Sequence, residues 1–219
     1  MIEIRDVGVV IRGCVILGSI TACFPTATTT LVTGEAGAGK TTLLRAIAGI
    51  QKHSGSIRFD GAHVDQVRDR LYACPSGAPV SAALTGYDNV RLLLGRDLSD
   101  AHIASVAPAL ADDVVLRRRA LALSRGQRVR LHLVAALASA ARYLVFDEAL
   151  TGPDAPTASE IGDEVHGRSP EATVVLAGSY DPTGGAVGAR RMRMVDGALV
   201  ESRYVGITTR TPEVAPAAR

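Results

Sequence analysis

The chain has 219 residues, 47% hydrophobic and 21% charged, the make-up of one globular domain with a full core, not of a disordered chain. Its 24 basic and 22 acidic residues leave a net charge of +2, which excludes a strongly cationic nucleic-acid binder. Five Tyr, three Phe and no Trp also leave little for base stacking. Only Lys40 and Lys52 are lysine; the other 22 basic residues are arginine. Cys14, Cys23 and Cys74 form no C-x-x-C pair and read as reduced thiols. The first residues lack the basic-then-apolar pattern of a secretory signal. The uncharged stretch 13–34 holds a proline and six threonines, which suits strands better than a bilayer helix.

In chain order, alternation over 2–5 and β-branched runs at 15–24 and 28–33 predict three strands. A glycine-rich segment at 34–42 follows, then a helical composition at 43–48 that Gly49 ends. Residues 56–59 before Asp60-Gly61 read as a strand entering a tight turn. Another strand is expected near 71–74. From 85 to about 123 the apolar spacing turns helical, as in an all-helical insert placed at about 77–123. A helix is expected from near 126 to 141, then short apolar strands at 143–146 and 173–177. A closing pair surrounds Asp196-Gly197, with Met192 and Met194 on the buried face of its first strand. Beyond 207 the composition reads as a mobile tail. Strands alternating with helices argue for a mostly parallel α/β sheet.

Gly34-Glu35-Ala36-Gly37-Ala38-Gly39-Lys40-Thr41-Thr42 fits G-x-x-x-x-G-K-[ST] between a predicted strand and a predicted helix. On this composition the pattern arises by chance with a probability of roughly 0.003. Glycines let the backbone N–H groups curl inward, and the next helix adds the positive end of its dipole. Lys40 is placed to reach β- and γ-phosphates and the Thr41 hydroxyl to hold Mg²⁺. Downstream stands Leu123-Ser124-Arg125-Gly126-Gln127, where Ser124 reads as a helix N-cap. Twenty-three residues after Ser124, Asp147 ends a buried strand. That is a position for a carboxylate serving Mg²⁺, and Glu148 beside it is placed to polarise an attacking water.

In this order and spacing, residues up to about 205 resemble the ATP-binding-cassette (ABC) ATPase family. Residues 34–42 match its Walker A loop, 123–127 its signature, and 143–148 its Walker B strand with the catalytic glutamate. Asp154 matches its D-loop aspartate. The resemblance implies an α/β P-loop NTPase (RecA-like) core with an antiparallel β part and a helical subdomain, all within 1–206. It implies two cassettes associating head to tail, each sandwiching ATP between its own P-loop and the signature of the other. Ser124, Arg125, Gly126 and Gln127 then serve the nucleotide in trans, and 219 residues supply only one half of each site. Implied partners are a second ATPase subunit and a membrane-spanning transporter subunit, with no nucleic acid. The implied location is cytoplasmic, peripheral on the inner face of the cell membrane.

Three positions depart from the family pattern. Ser76 stands where the family carries a glutamine that reaches the metal and attacking water. Tyr180 replaces a histidine at the γ-phosphate, which removes a partial positive charge. Ile11 replaces the aromatic that stacks on adenine. Arg125 also replaces the first signature glycine, a change the family tolerates. The expectation is an ATPase subunit that binds MgATP and hydrolyses it to drive a membrane partner, with turnover slowed at Ser76 and Tyr180. The alternative is a weakly hydrolysing or non-catalytic regulatory cassette of a heterodimer. A soluble cassette in nucleic-acid or translation work fits least. The arginine clusters 117–119 and 190–193 read as solvated faces, with docking to acidic loops or lipid head groups the alternative.

Overall fold

The computed structural model of the chain describes residues 1–106, 110, 112–139, 141–149, 156–178 and 190–201, and not the side chains of 158 and 168. Asp154, Tyr180 and the tail beyond 207 lie outside the described residues. Nine strands are described: β1 (Ile2–Ile11), β2 (Cys14–Phe24), β3 (Thr28–Thr33), β4 (Ser56–Phe59), β5 (Leu71–Cys74), β6 (Tyr143–Asp147), β7 (Thr173–Ala177), β8 (Arg190–Val195) and β9 (Ala198–Glu201). The described α-helices are α1 (Lys40–Ile47), α2 (Gly86–Leu94), α3 (Asp100–Val106), α4 (Asp113–Arg117), α5 (Arg125–Ala138) and α6 (Ala158–Arg168).

Two sheets result. β2-β1-β4 is antiparallel, and the second runs β5-β6-β7-β3-β8-β9, parallel except for the β8–β9 hairpin. Period-2 alternation divides the parallel strands between two cores. Leu31, Leu144, Phe146, Val174 and Leu176 face a cluster shared with α2–α6. Val32, Tyr143, Val145, Val175 and Ala177 face a second cluster shared with α1 and the antiparallel sheet. The central strands are buried on both faces, hence their unbroken apolar runs.

The expected strands at 28–33, 56–59, 71–74 and 173–177 fall on β3, β4, β5 and β7. β1 continues to Ile11, well past the alternation at 2–5, because register shifts between Ile4 and Val10, with Asp6 at φ 52°, break the period without ending the pairing. Met192 and Met194 are buried as expected. α5 stops at Ala138, short of 141: the Ser139 hydroxyl donates to the Ala136 carbonyl and accepts from the Ala141 N–H, taking over from the helix. Helix α6 has no counterpart in the sequence reading. Two glycines dilute its pattern, and among its described side chains the buried apolar ones are Ile161 and Val165. Its legible sign is the capping box of Thr157 and Glu160, in which the Thr157 hydroxyl accepts from the Glu160 N–H and the Glu160 carboxylate from the Thr157 N–H.

The helical part is fixed to its entry loop by Asn89, which is fully buried. Its Oδ1 accepts from the Ser81 N–H at 2.7 Å, and Nδ2 donates to the carbonyls of Thr85 at 2.8 Å and Ser81 at 3.1 Å. α5, 14 residues long, then returns antiparallel to β6. At about 1.5 Å per helical residue and 3.3 Å per strand residue the two are similar in length, so the start of α5 lies level with the end of β6.

Candidate nucleotide site

The carboxyl ends of β3, β5 and β6 open on one edge of the parallel sheet, the edge at which α/β sheets bind ligands. The loop leaving β3 is the glycine-rich segment. Gly34 has φ +150°, and a Cβ there would sit 2.4 Å from the Met194 carbonyl oxygen, so no other residue fits. Gly39 precedes α1 at φ +101° with no side-chain cap, and the first turn of α1 holds no acidic residue. The helix N-terminus is thereby left free for an anion.

Lys40 is buried, and its Nζ donates to the carbonyls of Gly34 at 2.7 Å and Glu35 at 2.8 Å. The ammonium thus spans the loop where a phosphate chain would lie. Ile16, Ala36, Gly37, Gly39, Lys40, Thr41, Thr42 and Glu148 line an open cleft. Residues of the glycine-rich loop and the carboxylate after β6, 106 positions apart at Thr42 and Glu148, are therefore brought to one cleft.

Asp147 at the end of β6 is 5% exposed, and both its carboxylate oxygens are buried without a hydrogen bond of full geometry among the described residues. Burial pushes its carboxyl above the ordinary value, with Glu148 adding to the rise and Thr41, Arg45 and Lys40 opposing it. A buried carboxylate with unused lone pairs, next to a hydroxyl and a lysine, fits a hard divalent cation. Thr41 and Asp147 are thus a fitting pair for Mg²⁺.

Glu148 turns out of the strand at φ 56°, a left-handed conformation that non-glycine residues adopt mainly where the surroundings impose it. The parallel register Cys74↔Phe146, extended two residues, sets Ser76 level with Glu148. The Ser76 hydroxyl donates to Glu148 Oε2 at 2.6 Å. A guanidinium N–H of Arg125 donates to the same oxygen. These two donors hold the Glu148 carboxyl below its ordinary value against the effect of burial.

Ser124 caps α5. Its hydroxyl oxygen accepts from the Gln127 N–H at 3.2 Å, and Gln127 Oε1 accepts from the Ser124 N–H at 3.0 Å. The side chain of Gln127 is thus folded back into a capping box, while the Ser124 hydroxyl keeps its proton to donate. Gly126 is buried in the first turn. The sequence reading missed two features of the cleft. Ile16 lines it, whereas Ile11, singled out for the base, sits at the tip of the β1–β2 hairpin opposite Cys14. The contact of Arg125 with Glu148 was also unforeseen; its only signal was the length of α5 against β6. Cys74 is buried and its thiol is pushed up to about 12, in keeping with an inert thiol.

Among the described residues no helix is long and apolar enough to cross a membrane. Residues 17–151 match the ABC transporter family model. The sn-glycerol-3-phosphate import ATP-binding protein of Rhizobium johnstonii is 31% identical over 184 residues, 78% of this chain and 49% of that protein. The energy-coupling factor transporter ATP-binding protein of Thermotoga maritima is 30% identical over 168 residues, 73% of this chain and 65% of that protein. The chain thus spans about half to two thirds of the length of these curated relatives. Among solved structures, a bacterial Atm1-family ABC exporter with ATP bound superposes with a TM-score of 0.75 at 23% identity, covering 91% of this chain and 38% of that one. An ATP-binding subunit of an ABC transporter gives 0.73 at 18% identity, over 90% and 87%. These two establish the P-loop NTPase fold. With the family match extending over more than half of its residues, from β2 through Glu148, this chain belongs to the ABC transporter family.

Proposed function

We propose that this chain binds MgATP in the cleft over α1 and hydrolyses it, as the ATP-binding subunit of a transporter, to drive a membrane-spanning partner. The observation that carries the reading is the pairing of a caged ammonium with an unsatisfied carboxylate. Lys40 is tied to loop carbonyls above an uncapped helix start, and Asp147 lies buried with open lone pairs next to Thr41. Residues 34–42 cradle the phosphates through their backbone, and Lys40 exchanges its carbonyl partners for phosphate oxygens. Thr41 and Asp147 hold Mg²⁺, which when bound neutralises charge on the phosphate oxygens. Glu148 is the candidate general base for the attacking water.

The signature start at Ser124, Arg125 and Gly126 serves a nucleotide on a second cassette, homologous or identical. Asp154 and Tyr180 complete the proposed site from outside the described residues. The cassette then sits on the cytoplasmic face of the membrane through its transporter subunit. Ser76 supports slow turnover: it spends its hydroxyl on Glu148 and is too short to span the cleft as a glutamine does.

The test is binding of a fluorescent ATP analogue to the purified chain with and without Mg²⁺. The wild type is expected to bind in a Mg²⁺-dependent way, and Lys40→Ala to lose at least tenfold in affinity. Equal binding by Lys40→Ala rules the reading out. Size-exclusion chromatography of Glu148→Gln with MgATP tests the second cassette, and a persistent monomer argues against it.

A further inference from the structure

We propose that Arg125 is a positioning residue that parks the Glu148 carboxylate in the single cassette, so that hydrolysis waits until the signature loop is drawn to a nucleotide on a second cassette. The proposal rests on the reading of Glu148 as general base and of the signature as a contact in trans.

Three independent observations carry it. The antiparallel return of α5 along β6 brings the first residue of α5 to the level of the residue after β6, and there the Arg125 guanidinium meets Glu148 Oε2. Ser76, brought level by the register of β5 with β6, donates to that same oxygen. One carboxylate oxygen thereby accepts from two donors, which together fix the orientation of the Glu148 side chain. Third, helix stability does not account for Arg125. The first turn of α5 holds no acidic residue, and a cation there opposes the helix dipole. Its charge is compensated instead by Glu148, across 23 residues of sequence.

The pair is built to open. The Arg125 and Glu148 side chains are 43% and 33% exposed, so an approaching surface can reach them and the ion pair is a weak one. A guanidinium fork also matches phosphate oxygens, which carry more charge than one carboxylate. When Ser124 and Gly126 engage a γ-phosphate across the interface, Arg125 travels with them as their neighbour. It then exchanges Glu148 for phosphate, leaving Ser76 as the described side chain still holding the base.

The experiment uses the full chain and the variants Arg125→Gln, Arg125→Lys and Glu148→Gln. Urea unfolding of the nucleotide-free protein in a double-mutant cycle of Arg125→Gln with Glu148→Gln is expected to show a coupling of about two- to fivefold in the unfolding constant. Steady-state hydrolysis by Arg125→Gln is expected to rise about fivefold in kcat, while KM for MgATP rises as the phosphate contact in trans is lost. Arg125→Lys, which keeps a donor and the charge but not the fork, is expected to raise kcat less than Arg125→Gln does. Additive unfolding constants overturn the proposal. So does coupling accompanied by an unchanged or lowered kcat in Arg125→Gln, since the pair then restrains nothing. Absence of MgATP binding by the wild-type chain overturns the underlying assignment of the site, and the proposal with it.

Discussion

Asp147→Asn separates the cost of the site from its use. In the free chain the carboxylate is 5% exposed with neither oxygen in a hydrogen bond of full geometry among the described residues, though the Thr41 hydroxyl lies against it, and Glu148 adds a second negative charge at the next position. An unsatisfied buried polar group costs about 1–3 kcal/mol, and more when charged. Thr41, Arg45 and Lys40 return part of that cost. Asparagine has the same shape without the charge, though its amide still seeks partners, so the net gain expected is about 1–2 kcal/mol. For a chain of 219 residues, each kcal/mol moves the melting temperature by about 2–4 °C. Thermal unfolding in EDTA is therefore expected to place Asp147→Asn about 2–8 °C above wild type. With MgATP at about a hundred times its dissociation constant, wild type gains about 2.7 kcal/mol from binding, whereas the variant, lacking the metal-holding carboxylate, gains little. The order of the two melting temperatures should reverse. A variant less stable than wild type in EDTA would refute the reasoning, because it would mean that the folded chain satisfies this carboxylate without a metal.

Three further outcomes follow from buried polar groups away from the cleft. Asn89→Ala orphans the Ser81 N–H, while the Ser81 and Thr85 carbonyls keep their bonds from the backbone N–H groups of Leu84 and position 89, and is expected to cost about 2 kcal/mol by urea unfolding; a loss below about 1 kcal/mol would mean that the Ser81 N–H finds another partner. Tyr143→Phe removes the hydroxyl that donates to Asp60 Oδ2 at 2.6 Å while keeping the ring edge-on to Phe59, and should cost about 1 kcal/mol in the same assay. His132 is buried. Its Nε2–H donates to the Pro79 carbonyl at 3.0 Å, which leaves Nδ1 to accept from the Tyr72 hydroxyl at 2.9 Å. Burial lowers its pKa despite the Pro79 bond, so below about pH 6.5 the unfolded chain binds the proton first and stability falls as pH drops towards the depressed folded value. The urea midpoint should decline from about pH 7.5 to 5.5 in wild type and decline less in His132→Asn; parallel declines would assign the effect elsewhere.

The fold was legible where burial is two-sided or where backbone geometry demands one residue type. β6 and β7 show as apolar runs, β3 as a β-branched one, and Gly34 through Lys40 as a loop that few sequences share by chance. What stayed hidden has a physical cause in each case. The bulged part of β1 breaks the alternation that marks a half-buried strand, and α6 holds its place through a capping box and two described apolar anchors, too few to set a helical period. For the site, Asp147 and Glu148 could be placed from the strand they end. Ser76 could be named only as a substitution, because its partner depends on the register of β5 with β6.

Arg125 shows why the remainder escapes a reading along the chain. Taken alone, it is a tolerated change at a helix start and, on dipole grounds, a slightly unfavourable one. Its meaning comes from two lengths, a 14-residue helix and a five-residue strand running back along it, which bring its guanidinium to the carboxylate of Glu148. Sequence motifs place residues that meet a ligand, since the ligand dictates their type and spacing. Residues that meet one another across the fold are placed by the lengths and register of the elements that carry them. Ser76 and Arg125 thus converge on one oxygen of Glu148, a meeting that no spacing along the chain announces.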